Sequence, residues 1–370
     1  MRCSKEKYGL YLHIPFCFSK CKYCHFYSIT DRSEENIKQY IYGLRKEIEY
    51  FQKFNFKFET LYVGGGTPNS IPPGDLYTIL DLLHNNLDLK TVKEKSIEIN
   101  PENVNEELSS ILKEFNFNRV SIGVQSFSDE ELKILGRLHN SEKAIKSVFI
   151  LHEAGFSNIN IDLIFAFRGQ TVERFEKTLN IVVSLPVTHI STYSMTYEKG
   201  SLENLENKNE KFFEKLIKIR NSILTNNGFR WYEISNFARK GFECIHNLKY
   251  WLRHYYIGLG PSAAGFYNLN GAEYRYKNPE SLAKYISGNR TVEKLREEDK
   301  ITEEIFLKIR TKFGIKLELD FVESVKRELR DLVTVKKNSL KLSEKGILVA
   351  DAVTVKILEL YEDYKKRAKV

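Results

Sequence analysis

Three of the five cysteines, Cys17, Cys21 and Cys24, stand as Cys-x3-Cys-x2-Cys near the start of the chain. At this cysteine frequency chance places such a trio roughly 0.001 times per chain, so the spacing asks for a chemical reason. Structural zinc takes four ligands, and a fourth would have to come from elsewhere in the fold. Disulfides do not suit a cytoplasmic chain, and an odd trio cannot fully pair. Three thiolates suit a 4Fe–4S cluster in which one iron keeps an open position for an exogenous ligand. On spacing alone, zinc with a distant fourth ligand and a plain electron-transfer cluster stay open.

Further residues have types that hold a ligand. Gly64-Gly-Gly-Thr-Pro68 lacks three Cβ atoms in a row, so backbone can approach a ligand closely. A tight turn explains such a triplet equally well. Glu98, between Ile97 and Ile99, is an acid in a buried-type strand and is suited to ribose hydroxyls. Gln125 ends Ser121-Ile-Gly-Val-Gln, and Arg137 lies twelve residues later, where a guanidinium can take a carboxylate bidentately. Asp162 sits within Ile159-Asn-Ile-Asp-Leu-Ile164, where an unpaired carboxylate would be costly. Each of these alone also reads as an ordinary surface or core residue.

The elements that must position them alternate. Strand-like runs at 9–15, 60–63, 96–100, 119–124, 158–165 and 189–195 are separated by helical patterns at 34–54, 74–86, 105–115, 129–136 with 141–153, and 171–184. A sixth helix is expected at 207–227. Six β-then-α repeats imply parallel strands joined by right-handed crossovers, with both faces covered. The expected class is α/β, a partial (βα)6 TIM-like barrel with a small C-terminal α+β, winged-helix-like domain. Every candidate above falls at or after the C-terminal end of a strand, where barrels place their chemistry. We divide the chain into a core at 1–228, a loop-rich aromatic covering segment at 229–290, and a charged, mostly helical domain at 291–370. A strand pair is expected in that domain at 334–336 and 340–342.

Composition excludes other classes. With 370 residues, 42% hydrophobic and 29% charged, the chain is neither a disordered tail nor a disulfide-stapled mini-domain. A chain of this size buries roughly three-quarters of its unfolded surface. No apolar run approaches the ~20 residues that span a bilayer. The first residues run into a strand without an apolar leader, and the expected location is cytoplasmic. The net charge of +8 is a small excess of 57 Lys+Arg over 49 Asp+Glu, interleaved along helices, so it does not point to nucleic acid.

Tyr11-Leu-His-Ile-Pro-Phe-Cys17-x3-Cys21-Lys-Tyr-Cys24 resembles the radical S-adenosylmethionine superfamily, and within it the oxygen-independent coproporphyrinogen III oxidase group. The resemblance spans roughly residues 8–360. It implies a 4Fe–4S cluster on Cys17, Cys21 and Cys24, and S-adenosylmethionine contacts from Tyr11, Tyr23, Gly65, Gly66, Thr67, Glu98, Gln125, Arg137 and Asp162. Two features depart from the oxidase itself. The oxidase carries a further cysteine two positions after the third, where this chain has Cys24-His-Phe26, and a longer segment ahead of its cluster motif. His246-Asn-Leu-Lys-Tyr-Trp251 looks like the motif of a haem-chaperone branch of the group.

That resemblance implies haem as cargo, with His246, Tyr250 and Trp251 holding it. It also implies a haem-acceptor protein such as a membrane respiratory enzyme, an electron donor, and room for a homodimer that the sequence itself does not argue. A buried, hydrogen-bonded histidine accounts for His246 nearly as well. The alternative function is oxygen-independent oxidative decarboxylation of coproporphyrinogen III. The chain also departs from the group's pattern after Asp162, where Ala166-Phe-Arg replaces Gly-Leu-Pro, at Ser262-Ala-Ala-Gly265, and at His25, usually Asp.

Overall fold

A computed structural model describes residues 7–195 and 210–368. The alternating pattern becomes β1 (Tyr8–Ile14), α1 (Glu34–Gln52), β2 (Phe58–Gly65), α2 (Pro73–Asn86), β3 (Glu94–Ile99), α3 (Glu106–Glu114), β4 (Arg119–Gln125), α4 (Asp129–Leu135), α5 (Ser141–Glu153), β5 (Ile159–Phe165), α6 (Val172–Ser184), β6 (His189–Ser194) and α7 (Glu210–Asn226). Residues 207–209 of the expected sixth helix lie outside the described residues. Helix starts are set by side chains that accept backbone N–H groups: Ser33 for α1, Asn105 for α3, Asn140 for α5 and Thr171 for α6.

β1 to β6 pair in order, all parallel. The sheet does not close; its order runs from the β1 side through β6 to an antiparallel edge, as in an open six-unit barrel. Alternate residues divide its two faces. Leu10, Leu12, Leu61, Val63, Ile97, Val120, Ile122 and Ile161 belong to one apolar core with α1, α2, α3, α5 and α6. The other face carries a cross-strand polar network. In register, Glu98 faces Ser121, and Asp162 faces both Gly123 and Ser191. Ser121 Oγ donates to Asp162 Oδ2 at 2.9 Å, and Asn160 Nδ2 donates to Asp162 Oδ1 at 2.8 Å. The Asp162 carboxylate is thus bonded rather than left bare, while Ser96 Oγ and Arg119 Nε and Nη1, also buried, have no hydrogen-bond partner among the described residues.

Residues 229–290 differ from the expected loop-rich cover. They form β7 (Arg230–Glu233), β8 (Asn236–Ala238), α8 (Ile245–Trp251), β9 (Tyr256–Leu259), β10 (Ala264–Leu269), β11 (Ala272–Lys277) and α9 (Leu282–Ile286). β8 and β7 extend the sheet beyond β6, while β9 joins β1 in parallel and β10 and β11 follow antiparallel. Of the aromatics that read as loop, Trp231, Tyr232, Tyr256, Phe266 and Tyr267 are strand residues, while Tyr250 and Trp251 lie on α8. The signal for the β10–β11 hairpin was Asn270-Gly271, both at positive φ (54° and 86°), as a two-residue mirror-image turn requires.

β12 (Thr291–Lys294) adds the last strand on that edge. Beyond it, α10 (Glu297–Lys308), β13 (Ile315–Lys316), α11 (Leu319–Leu329), β14 (Val333–Lys336), β15 (Ser339–Leu342), α12 (Glu344–Leu348) and α13 (Ala350–Ala368) follow. They gather a second apolar core around Phe321, Val325, Leu340 and Ile357. Its three-stranded antiparallel sheet, in the order β13-β15-β14, contains the expected strand pair and makes this unit α+β. The unit meets the barrel where Lys312 N donates to Tyr232 O and Arg253 pairs with Glu303. No helix among the described residues is long and apolar enough to cross a membrane.

Candidate metal centre and cofactor pocket

The cysteine loop leaves β1 and returns to it. Cys17 N donates to Ile29 O at 3.0 Å, and Ile29 N donates to Pro15 O at 2.8 Å, so the ends of the loop are clamped together. Cys17 is buried, Cys21 and Cys24 are partly exposed, and all three are free thiols. They line a single cavity of about 340 Å³, large enough for a nucleoside-sized ligand. Burial raises the Cys17 and Cys24 thiols. Cys244 lies at the opposite end of the barrel, and Cys3 is outside the described residues. Among the described residues no three His, Cys, Asp or Glu side chains converge tightly enough for a single metal ion. Three thiols around one cavity are the donor set of a cluster with an open iron.

The glycine turn after β2 is stitched to that loop. Gly66 N donates to Ile14 O at 2.8 Å and Thr67 N to Phe16 O at 2.7 Å. A Cβ on Gly66 would lie 2.5 Å from Phe16 O, and one on Gly65, at φ +112°, would strike the His13 ring at 2.6 Å. The triplet is therefore a close-approach element as well as a turn. Thr67 Oγ1 sits 3.6 Å from Cys17 Sγ.

Glu98, Gln125, Arg137, Asp162 and Tyr23 line the same cavity, each arriving from a different strand end or loop. Arg137 is the hub. Its Nη2 donates to Asn100 Oδ1 and to Gly123 O, both at 2.7 Å, and its Nη1 reaches Cys21 Sγ at 3.4 Å and Tyr23 Oη at 3.3 Å. Gln125 has φ 71° at a β4 irregularity, which turns its amide into the cavity. Ala166, where the group's pattern has glycine, also adopts a left-handed φ of 63°. That conformation costs an alanine about 1–2 kcal/mol. It is held by Gln170 Oε1, which accepts Ala166 N at 2.8 Å, so the changed sequence keeps a glycine-type turn.

Tyr62 Oη donates to Glu98 Oε1 at 2.7 Å, and Gly65 N to Oε2 at 3.3 Å. Burial first, and the Asp162 carboxylate second, push the Glu98 carboxyl from 4.5 up to about 7. A carboxyl raised on folding contributes stability that is full below 4.5 and is lost as pH rises through about 7. Urea unfolding from pH 4.5 to 7 should therefore show stability falling more gently in Glu98→Gln than in the parent chain. Glu233, which burial also pushes to about 7, titrates in the same window, so the variant flattens the profile without levelling it. An unchanged slope would show that Glu98 does not titrate there.

Four expected site residues stand elsewhere. Tyr11 is inside the barrel with its Oη 3.0 Å from His13 Nδ1, and it does not line the cavity. The expected haem residues His246, Tyr250 and Trp251 do not form an open site. They lie on α8, which plugs the N-terminal end of the barrel, away from the cysteines. Glu94 Oε2 and Oε1 accept Ile245 N and His246 N, both at 2.9 Å, and anchor that helix. His246 is fully buried, with Nδ1 2.8 Å from Thr60 Oγ1 and Nε2 2.8 Å from Tyr250 Oη. Both ring nitrogens are taken, the ring stacks on Tyr62, and burial lowers its pKa to about 3. In this arrangement the imidazole closes the barrel floor, and neither nitrogen is open to a ligand.

Asn100 was missed in the sequence. Besides receiving Arg137, it donates to Thr67 Oγ1 at 3.0 Å and exchanges backbone bonds with the Asn69 amide, joining the glycine turn to the arginine. Its position at the end of β3, immediately before Pro101, was the available signal.

The Radical SAM superfamily matches residues 11–182. A Lactococcus lactis protein described as heme chaperone HemW is 33% identical, covering 94% of this chain and 96% of its own length. The chain belongs to the HemW family of the radical SAM superfamily. A Bacillus subtilis HemW is also 33% identical, over 91% of this chain and 92% of that protein. The structure of Escherichia coli coproporphyrinogen III oxidase (HemN), a radical SAM enzyme, superposes with a TM-score of 0.82 over 96% of this chain and 90% of that one. At 23% identity that likeness shows the shared fold. Membership of the HemW family brings a 4Fe–4S cluster and S-adenosylmethionine to the fold, and the thiol-lined cavity is where the residues fit them.

Proposed function

We propose that this chain is a haem chaperone built on a radical S-adenosylmethionine core, which binds haem and passes it to an acceptor protein. The observation that carries this reading is its match to proteins described as haem chaperones along nearly their whole length. Cys17, Cys21 and Cys24, which line the cavity, would hold the cluster by their three thiolates. When bound and reduced, the cluster supplies one-electron chemistry at the S-adenosylmethionine sulfonium.

The rest is positioning by this chain. Gly65, Gly66 and Thr67 present backbone to the methionyl amino group. Arg137 takes its carboxylate, Glu98 accepts from the ribose hydroxyls, and Tyr23, Gln125 and Asp162 complete the wall. Residues 1–228 form the core. Residues 229–290 extend the sheet and carry the α8 plug, and 291–370, whose first strand β12 still pairs with β11, form the added small domain. An electron donor and a haem acceptor of the respiratory-enzyme class are the expected partners, in the cytoplasm.

The test gives the reconstituted protein haem and coproporphyrinogen III in parallel, without oxygen. The chaperone reading expects stoichiometric haem uptake and no decarboxylation. Conversion to protoporphyrinogen IX without haem uptake overturns it in favour of the oxidase reaction.

A further inference from the structure

The two most exposed large hydrophobic residues among those described are Phe26, at 66%, and Leu138, at 62%. Both lie on the rim of the thiol-lined cavity, from separate loops, with half-exposed Tyr193 on the same lining. Large apolar side chains left in water at the mouth of a built pocket mark a surface that something apolar covers. Between Cys24 and Phe26 stands His25, exposed, and among the described residues the one imidazole on this cavity. No hydrogen bond from its ring to another described residue is made, in contrast to His246, whose two nitrogens are both engaged. An imidazole beside aromatic and aliphatic surface is the recognition chemistry of an iron porphyrin. Exposed Lys20, on the same lining, and Lys22 beyond it supply cations for the propionates at the porphyrin edge. The nearby carboxylates are otherwise committed: Glu98 to Tyr62, Asp162 to Ser121 and Asn160, and Glu102 to His139 and Arg137.

We propose that haem docks across the cluster-end mouth of the barrel, lying on Phe26 and Leu138, with His25 as its axial iron ligand. The site rests on the haem-chaperone reading and moves the ligand from the barrel floor to its mouth. It also assigns a role to the residue that departs from the group's usual Asp.

The test is an anaerobic titration of ferric haem into cluster-reconstituted parent, His25→Ala, His25→Gln and His246→Gln proteins. Iron and sulfide content are matched first, and the Soret difference band and ferric-haem EPR are followed. The His25 variants should lose the histidine-ligated spectrum and bind about tenfold or more weakly, equivalent to ~1.4 kcal/mol or above. Free imidazole should restore the spectrum, and His246→Gln should keep both spectrum and affinity. Parent-like spectra and affinity in both His25 variants overturn the site, and a loss confined to His246→Gln returns the ligand to α8. If the parent protein takes up no haem, the chaperone reading itself fails, and this site with it.

Discussion

Serine at Cys17, Cys21 or Cys24 should leave the reconstituted protein without its four-iron cluster. The measurement is iron and acid-labile sulfide per chain, together with visible absorption. The expected effect is close to all-or-none, because on the proposed assignment each thiolate is one of three protein ligands, and the imidazole nearest the site, His25 on the same cavity, is a harder donor than a thiolate. Cys244 is buried at the far end of the barrel, where Glu94 and the α8 backbone surround it. A hydroxyl keeps the size of the thiol but not its soft-donor character. The fold should persist, since Cys21 and Cys24 are partly exposed and the loop is clamped by backbone bonds between Cys17, Ile29 and Pro15. Full iron and sulfide in any one variant would show that its cysteine is not a ligand.

Arg137→Met should leave the cluster in place and cripple S-adenosylmethionine binding. The guanidinium is held by Asn100 Oδ1 and Gly123 O, which fixes its plane at the cavity wall beside Cys21 and Tyr23. Methionine matches the arm but removes the charge, and it takes away the donor that Asn100 Oδ1 and Gly123 O share. Truncating one side of a buried charge-assisted contact costs about 2–5 kcal/mol, or roughly thirtyfold or more in affinity. Arg137→Lys should recover only part, because an ammonium cannot reproduce the planar fork. Calorimetric titration of S-adenosylmethionine into each reconstituted variant reads the effect. Unchanged affinity in Arg137→Met would remove this residue from the ligand's carboxylate.

The sequence carried the barrel because its signals were local and repeated. The six strands and their helices follow from apolar runs and side-chain caps such as Asn105 and Thr171, and their observed limits lie within a few residues of those expected. The thiol trio was legible from its spacing, and the rest of the expected pocket came from the family resemblance; Glu98, Gln125 and Asp162 lie on strands that the β/α rhythm locates, whereas Tyr23 and Arg137 sit on loops. What was not legible depends on contacts between distant segments. Tyr250 and Tyr255 look alike as letters, yet one bonds to His246 Nε2 while the other joins Glu273 beside a sheet edge. The spacing of His246 and Tyr250 carries no sign that Thr60 and Tyr250 between them occupy both imidazole nitrogens. Asn100 likewise acquires its importance only when Arg137 and Thr67 are brought to it from other strands.

A protein that carries haem in order to give it up must pass it directly to an acceptor. The most direct measurement mixes haem-loaded, cluster-reconstituted protein with an apo haem protein in the absence of oxygen and follows the acceptor's Soret band. The chaperone account predicts that haem moves to the acceptor faster than it dissociates into solution, as judged against a haem-scavenging control. Transfer at the scavenger-limited rate, whatever the acceptor concentration, would contradict it.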